Sequence, residues 1–231
     1  MIGRVLVALP AAGFAVLAYA YLTLPDVRPL KTSNPTTTAF MELRDAEARA
    51  HQKTPHRVQR WASYGRIAPD LKRAVLVAED DAFWQHEGVD FEQIQESIEA
   101  DWARGSFSRG GSTITQQLAK NLYLSPSKNP VRKPRELIIA RRLEAELKKA
   151  RILELYLNVI EWGDGIYGVE SAARTYFRKS AAELSASESA LLAGAIINPR
   201  LHSPAHPSAR LLRRQQLILR RMGAEIGRAH V

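Results

Sequence analysis

The sequence contains no cysteine, so disulfide bonds, zinc–thiolate sites and thiol nucleophiles are excluded. It has no long run of alternating apolar and polar residues, which argues against an extended sheet, and no internal repeat, which argues against a solenoid. Acidic residues are in deficit, because 24 Asp and Glu stand against 33 Lys and Arg and leave a net charge of +9. Such a balance points to an anionic partner: nucleic acid, anionic lipid or a phosphorylated substrate.

The N-terminal region narrows that choice of partner. Residues 5–25 carry no charge, and a helix of that length can cross a hydrocarbon core of about 30 Å. We interpret them as a retained single-pass anchor. The alternative is a cleavable signal peptide, because Ala18, Tyr19 and Ala20 form a small-x-small cleavage pattern. If the segment acts as an export signal, either interpretation places the rest of the chain outside the cytoplasm, which argues against nucleic acid.

The remaining pattern is mostly helical, and the expected fold class is mainly α. Residues 26–60 are polar and are expected to be a juxtamembrane linker with a helix near Ala39–Gln52. Residues 61–225 are expected to form the folded domain, in which apolar residues recur at helical spacing. A helix is expected to begin near Ser185 or Ser187 and to end before Pro199. Residues 226–231 look foreign and are set aside as a suspected non-native tail.

The stretch RGGSTITQQLAKN, residues 109–121, contains no acidic residue. Thr113 followed by Gln116 is a capping-box pattern and predicts a helix that starts here. Four polar side chains are expected to share one face of that helix: Thr113, Gln116, Gln117 and Lys120. Uncharged donors with one cation suit a sugar or a phosphate, but a solvated surface helix explains the stretch equally well when it is taken alone.

The stretch EDDAFWQHEGVD, residues 79–90, follows an apolar run. Glu79 is therefore expected at the edge of the core, where partial desolvation raises the pKa of a carboxyl and suits it to act as a general base. The alternative is that Glu79 is one half of a charge pair at a helix end. A metal site built from His86 and the acids has no HxxxH or HExxH spacing to support it.

A cluster of cations crowds the start of another predicted helix: Lys128, Arg132, Lys133 and Arg135. Pro134 suits the first turn of that helix. Cations at a helix N-terminus oppose its dipole and repel one another unless an anion is bound. Glu136 offers one negative charge, so a pyrophosphate explains the cluster better than a solvated face does.

Together these segments resemble the peptidoglycan glycosyltransferases, glycosyltransferase family 51, in their monofunctional, membrane-anchored form. The first stretch is similar to the family's ED-x-x-F-x-x-H-x-G signature, with these residues in register: Glu79, Asp80, Phe83, His86 and Gly88. GGSTITQQLAKN and RKPRE match the next two motifs, and RILELYLNVIEWGDGIYGVESAARTYF and LLAGAIINP resemble the fourth and fifth. Lys128 stands where some relatives carry Arg, which keeps the charge but loses bidentate phosphate contact.

The resemblance implies a lysozyme-like, mainly α fold and polymerisation of lipid II into β-1,4 glycan strands with release of undecaprenyl pyrophosphate. It implies that Glu79 is the general base and that Glu136 is a second catalytic residue, which orients the cations or assists the leaving group. The substrate-binding residues that it implies are Asp80, Phe83, His86, Ser112, Thr113, Gln116, Gln117, Lys120, Asn121, Lys128, Arg132, Lys133 and Arg135. The segment between Asp90 and Arg109 is interpreted either as a mobile flap that touches lipid or as a plain core helix.

The implied partners are lipid II, the growing glycan strand and the membrane, with other cell-wall synthases and division proteins expected and nucleic acid excluded. The implied location is the cell inner membrane, with the catalytic domain in the periplasm. No resident metal is predicted. The sequence leaves open whether a divalent cation, Mg or Mn, bridges the pyrophosphate and Glu136.

Two alternatives stay open beside the biosynthetic enzyme. A lytic transglycosylase or muramidase also uses a lone Glu on a lysozyme-like fold, but glycan cleavage has no pyrophosphate for the cations to stabilise. A non-enzymatic cell-wall scaffold would not need Glu79 and the cations together.

Overall fold

The computed structural model describes residues 22–90, 111–124 and 132–229, with side chains described as far as residue 223. Most of these residues are helical, which confirms the predicted mainly α class; the finer lysozyme-like description stays a prediction. The helices are α1 (Ala39–Ala50), α2 (Pro69–Glu79), α3 (Ile114–Tyr123), α4 (Arg132–Glu146), α5 (Lys149–Val159), α6 (Val169–Phe177), α7 (Ala186–Ala195) and α8 (Ala209–Ala229). Short 3-10 turns occupy Arg28–Lys31, Tyr64–Arg66 and Ala181–Glu183.

A small sheet joins the chain before α2 to the chain after α5. Its strands are β1 (Val58–Gln59), β2 (Glu161–Gly163) and β3 (Ile166–Tyr167), in the order β1-β3-β2. β1 runs parallel to β3, whereas β2 runs antiparallel to it. Gly165 turns the chain between β2 and β3 with φ +69°, and a Cβ there would clash with the carbonyl oxygen of His56. Only glycine fits this turn.

The core is centred on α3, α5 and α7. Helix α7 buries every residue from 189 to 195, as expected of a helix that is apolar all round. Helix α3 packs on α4 and α5, while α8 packs on α7 and α2. This packing brings the C-terminal end of α2, one side of α3 and the middle of α8 to the same place.

The predicted helix starts are confirmed where a hydroxyl caps the helix. Thr113 caps α3, since its side chain accepts a hydrogen bond from the N–H of Gln116. Ser185 caps α7 in a reciprocal capping box with Glu188, and that helix ends before Pro199 as expected. Helix α1 matches the helix predicted near Ala39–Gln52.

Residues 26–60 were expected to be a polar linker, and the structure packs part of them onto the folded body. Val27, Leu30 and Met41 are buried. Arg44 of α1 donates two hydrogen bonds to Oε2 of the buried Glu161 in β2, at 3.2 and 2.9 Å. The predicted domain limits themselves stay a prediction.

The predicted anchor, residues 5–25, lies mostly outside the described residues, which begin at Leu22. Within the described part of the chain, no helix has both the length and the apolar character that crossing a membrane requires. The suspected tail, residues 226–231, lies beyond the described side chains.

Candidate active site

Glu79 is the last residue of α2 and lies at the edge of the core, as the sequence predicts; its side chain is 13% exposed. Its Oε2 accepts a hydrogen bond from Nε2 of Gln117 at 3.1 Å, and its Oε1 lies 3.4 Å from a guanidinium nitrogen of Arg214. Burial raises the pKa of Glu79, and the Gln117 hydrogen bond and the charges of Arg214 and Lys120 oppose that rise without cancelling it. The carboxylate therefore has more affinity for a proton than an exposed glutamate.

A buried tyrosine fixes the orientation of Gln117. The hydroxyl of Tyr156 donates to Oε1 of Gln117 at 2.9 Å. Burial raises the pKa of Tyr156 well above its usual range, so the phenol keeps its proton and acts as the donor. Because Oε1 of Gln117 accepts from the phenol, the amide must turn its N–H₂ toward Glu79.

Tyr156 was not among the residues predicted for the site. Its signal in the sequence is an apolar periodicity along α5, which indicates only a core position. The hydrogen bond to Gln117 depends on how α5 packs against α3, and that packing is not visible in the local pattern.

Asp80, the next residue along the chain, is buried, and both of its carboxylate oxygens accept hydrogen bonds from the protein. Its Oδ1 accepts from Nε2 of His86 at 2.9 Å, and its Oδ2 accepts the N–H of Ile114 at 2.8 Å. The N–H of Gly88 donates to Nδ1 of His86 at 3.1 Å, which assigns the proton of the neutral ring to Nε2. This chain of hydrogen bonds ties the loop after α2 to the first turn of α3.

Gly88 sits where that loop touches two helices. Its φ is +85°, and an added Cβ would lie 3.0 Å from Cγ of Glu144 in α4. Its carbonyl accepts hydrogen bonds from Oγ1 of Thr113 at 2.8 Å and from Nε2 of Gln116 at 3.2 Å. Glycine is required here both by the backbone angle and by the close approach of α4.

The polar face expected on α3 divides into a buried part and a partly exposed part. Thr113 and Gln116 are 0% and 1% exposed and bind the Gly88 carbonyl, whereas Gln117 and Lys120 are partly exposed. The amide of Gln116 reaches Gly88 instead of returning to the N–H of Thr113, so only half of the predicted capping box forms. Thr113 and Gln116 position the loop in this structure.

As direct substrate contacts, Asp80, His86, Thr113 and Gln116 stay predictions. Asn121 lies on the same helix and donates from Nδ2 to the main-chain oxygen of Gln117 at 2.8 Å. Its contact with substrate also stays a prediction.

Glu136 lies at the centre of a network of cations on α4 and is 3% exposed. Arg132 donates to its Oε2 at 3.2 Å, and Nζ of Lys133 donates to its Oε1 at 2.5 Å. The same Nζ reaches Oγ of Ser112 at 3.2 Å and Oε1 of Gln116 at 3.0 Å. The predicted residues of the second and third motifs are thus brought together, and Glu136 orients their cations.

Two predicted site residues, Arg135 and Phe83, make other contacts in the structure. Arg135 turns toward the N-terminal segment, where it donates to Oγ1 and to the carbonyl oxygen of Thr23 at 3.2 and 3.0 Å. Phe83 is fully buried, and Nζ of Lys149 lies 4.4 Å from its ring centroid. Lys128 and the flap expected between Asp90 and Arg109 fall outside the described residues. The substrate contacts of Arg135, Phe83 and Lys128 stay predictions.

Arg214 on α8 forms an ion pair with Glu79 at 3.4 Å, and the sequence did not single it out. Its helix reads RLLRRQQLILRR, a basic amphipathic pattern that is typical of a helix at a membrane or partner surface and does not indicate a catalytic site. Only the packing of α8 against α2 aims this one arginine at the site. Arg214 also lines a cavity of about 300 Å³ that is basic, since Arg210, Arg213 and His202 contribute to its wall.

The loop after α2 holds one group of possible metal ligands within the described residues: ligand atoms of Asp80, His86 and Asp90 lie within 4.8 Å of one another. The oxygens of Asp80 and both ring nitrogens of His86 are already hydrogen-bonded. A cation there would have to replace those bonds. The other position considered for a divalent cation, beside Glu136, adjoins the positive side chains of Arg132 and Lys133, which would repel the ion.

Comparison with known proteins agrees with this geometry. Residues 47–223 match the family model described as Transglycosylase. The chain is 49% identical over 192 residues to the biosynthetic peptidoglycan transglycosylase of Laribacter hongkongensis, which covers 83% of this chain and 84% of the relative. It is 51% identical over 167 residues to the protein of that name from Aromatoleum aromaticum, covering 72% and 73%. It is 46% identical over 214 residues to that of Thiobacillus denitrificans, covering 93% and 92%.

Proposed function

The chain belongs to the transglycosylase family, and we propose that it polymerises lipid II into β-1,4 glycan strands of peptidoglycan with release of undecaprenyl pyrophosphate. It is a glycosyltransferase enzyme. The observation that carries the proposal is the pairing of one buried carboxyl with a separate cationic network. Glu79 has a raised pKa and is oriented by Gln117. Arg132 and Lys133 of α4 bind Glu136 of the same helix, and Lys133 also reaches Gln116 of α3.

Glu79 acts as the general base. It accepts the proton of the 4-hydroxyl on the glucosamine unit of an incoming lipid II molecule. The oxygen then forms a bond to the anomeric carbon of the terminal muramoyl sugar on the growing strand. The bond from that carbon to the pyrophosphate breaks, and its electron pair leaves with the pyrophosphate. Attack from the opposite face converts the α-linked donor into a β-linked product, so the step inverts the configuration.

The cations stabilise charge that develops on the departing pyrophosphate. Lys133 and Arg132 are held in place by Glu136, and Lys120 extends from the partly exposed side of α3. Fixed positive groups at a developing negative charge lower the barrier without reorganising during the reaction. Glu136 therefore serves chiefly as a positioning residue for these cations.

The cationic network also favours synthesis over cleavage. A lytic enzyme acts on a glycan bond whose leaving group is a neutral sugar, and it has no pyrophosphate to stabilise. The relatives are named biosynthetic peptidoglycan transglycosylases, which agrees with the direction that the charges favour.

We place the enzyme at the cell inner membrane, with residues 5–25 as a single-pass anchor and the catalytic domain in the periplasm. The uncharged run supports the anchor, and a lipid-linked substrate requires an enzyme at the membrane surface. Protease added to spheroplasts should digest the catalytic domain. Protection of that domain until the membrane is lysed would contradict the orientation.

The deciding assay uses the purified full chain with labelled lipid II in detergent. We expect a polymer that lysozyme digests to small fragments. A parallel reaction supplies preformed labelled glycan, which should stay intact. Release of label from the preformed glycan with no polymer from lipid II would overturn the biosynthetic function and support the lytic one.

A further inference from the structure

A charged surface forms where helix α4 meets the first described residues of the chain. Arg135 donates two hydrogen bonds to Thr23, one to its hydroxyl and one to its main-chain oxygen. About two and three turns further along α4, Arg142 and Glu146 line a cavity of about 410 Å³ together with residues 24–28. Helix α4 is therefore packed against the segment that directly follows residues 1–21.

The charges of this juxtamembrane surface do not balance. We define the surface by six side chains: Asp26, Arg28, Lys31, Arg135, Arg142 and Glu146. Arg28 pairs with Asp26 at 2.8 Å, and Lys31 pairs with Glu146 at 2.6 Å. Four cations against two acids leave a net charge of +2. The hydrogen bond from Arg28 helps to lower the pKa of Asp26 to about 2, so Asp26 is ionised and supplies one of the two negative charges.

Two exposed apolar side chains border the same charges. Leu22 is 80% exposed and Ile138 is 41% exposed. Ile138 lies between Arg135 and Arg142 on α4 at spacings of three and four residues, which places the three on one face of the helix. Exposed apolar groups flanked by cations are typical of surfaces that lie at a membrane interface.

We propose that the juxtamembrane surface docks onto the anionic phospholipid headgroups of the membrane. The inference rests on the membrane location proposed above. Leu22 and Thr23 belong to the uncharged run of residues 5–25, so the surface begins where that run ends. The net positive charge complements anionic headgroups, whose surface potential attracts basic residues near a membrane-spanning segment.

This docking gives helix α4 two functions on two sides. Arg135 and Arg142 meet the lipid surface, whereas Lys133 meets Ser112, Gln116 and Glu136 at the candidate site. The contact would hold the cationic network at a fixed height above the membrane. A lipid-linked pyrophosphate, which also lies at headgroup level, would then reach the network without leaving the bilayer.

The test measures thermal unfolding of the full chain in neutral-detergent micelles by circular dichroism. Phosphatidylglycerol or phosphatidylcholine is added at the same mole fraction. We expect phosphatidylglycerol to raise the midpoint of the wild-type protein by several degrees, because a ligand that binds only the folded state stabilises it. Phosphatidylcholine should leave the midpoint unchanged.

Matched variants locate the effect. Arg28→Gln with Arg142→Gln should lose at least half of the shift, and Arg28→Lys with Arg142→Lys should keep most of it. Arg49→Gln with Lys53→Gln removes the same charge from exposed positions near the end of α1, outside the juxtamembrane surface, and should keep the full shift. If the first double variant unfolds before lipid is added, Arg142→Gln alone takes its place.

Three results would overturn the proposal: no shift in the wild type, equal losses in both Gln double variants, or full reproduction of the shift by inorganic phosphate. Polymerisation of lipid II in detergent without phosphatidylglycerol is followed in parallel. Arg28→Gln with Arg142→Gln should polymerise like the wild type there. A wild-type protein that binds phosphatidylglycerol as expected but makes no polymer would contradict the proposed function and leave the lipid surface standing.

Discussion

Glu79 and Asp80 are adjacent carboxylates that lie in two different regions of the molecule. Asp80 belongs to the buried hydrogen-bonded loop, where His86 and the N–H of Ile114 occupy its two oxygens. Glu79 lies with Gln117 and Arg214 in a partly exposed region, which we call the cleft; there it is 13% exposed and burial raises its pKa. The two neighbouring acids therefore differ in their availability for chemistry, because Glu79 is partly exposed and its contact with Arg214 is long, at 3.4 Å, whereas Asp80 is 1% exposed and holds two short hydrogen bonds.

The comparison extends to the two sides of α3. Thr113 and Gln116 join Asp80 in holding the Gly88 loop, and Gln117 joins Glu79 on the cleft side. The residues that hold the Gly88 loop fix the position of Glu79, whereas the residues around its carboxyl group set its pKa. Substitutions on the loop side should therefore reduce stability, and substitutions on the cleft side should reduce the rate.

The largest expected effect is on the rate, from Glu79→Gln. General base catalysis contributes roughly a hundredfold to ten-thousandfold, so we expect polymerisation of labelled lipid II to fall by about a thousandfold. Retained turnover would remove Glu79 from the role of base.

The same variant should not weaken the fold. A carboxyl whose pKa is raised in the folded state stabilises it below the unfolded pKa, and that contribution is lost as pH rises through the folded pKa. Ionisation of Glu79 in the folded state therefore costs stability, and the neutral amide should be as stable at pH 7 as the wild type or more so. Thermal unfolding followed by circular dichroism at pH 7 checks this, and a clear fall in the midpoint would contradict it.

Asp80→Ala should produce the largest loss of stability. It leaves the N–H of Ile114 and the ring of His86 without their buried acceptor, at a cost of about 3 kcal/mol in the free energy of unfolding. Urea unfolding measures this loss, with Glu79→Gln as the neighbouring control. If Asp80→Ala were as stable as the wild type, the distinction between the two regions would fail.

Tyr156→Phe should have a smaller effect on both quantities. It removes the hydroxyl that fixes the amide of Gln117, so the amide can turn its oxygen toward Glu79. We expect polymerisation to fall about tenfold and the free energy of unfolding to fall by about 1 kcal/mol. Steady-state kinetics should show the loss in kcat more than in KM, since no substrate contact is removed. A change in KM alone would argue against the positioning role.

Arg214→Gln should have the smallest effect at neutral pH. The charge of Arg214 lowers the pKa of Glu79, so removing it raises that pKa further. The acid limb of the rate profile, where protonated Glu79 is inactive, should move to higher pH, so the loss of rate should grow as the pH falls. Arg214→Lys keeps the charge and should keep the limb near its original position. An acid limb that stays in place in both variants would show that Arg214 does not act on Glu79.

Local patterns in the sequence predicted much of the fold. The caps at Thr113 and Ser185 were readable because a hydroxyl at a helix start satisfies a backbone N–H within three residues. The mainly α class was readable because helical periodicity runs along most of the chain. The packing of Val27 and Leu30 was not readable, because the polar residues around them are typical of a linker.

The candidate site was predicted in part. Glu79 could be placed at the core edge because an apolar run precedes it, and the cations near Glu136 because their repulsion demands an anion. The division of α3 into a buried side and a cleft side was not predicted. In the sequence Thr113, Gln116 and Gln117 are equally polar, and only the folded chain places the Gly88 carbonyl where Thr113 and Gln116 can bind it. Arg135 and Lys133 look equivalent in sequence, but they leave α4 in different directions.

The sequence by itself determined the chemistry that this protein has available: a carboxyl after an apolar run, amides on a capped helix, a cation cluster and an uncharged N-terminal run. Each of these depends on neighbours within a few residues, whose interactions the local pattern reports. Only the tertiary structure decided which groups meet. Tyr156 orients Gln117, Arg214 approaches Glu79, and Asp80 is withdrawn into the loop, because helices distant in sequence pack together and satisfy each other's buried polar groups.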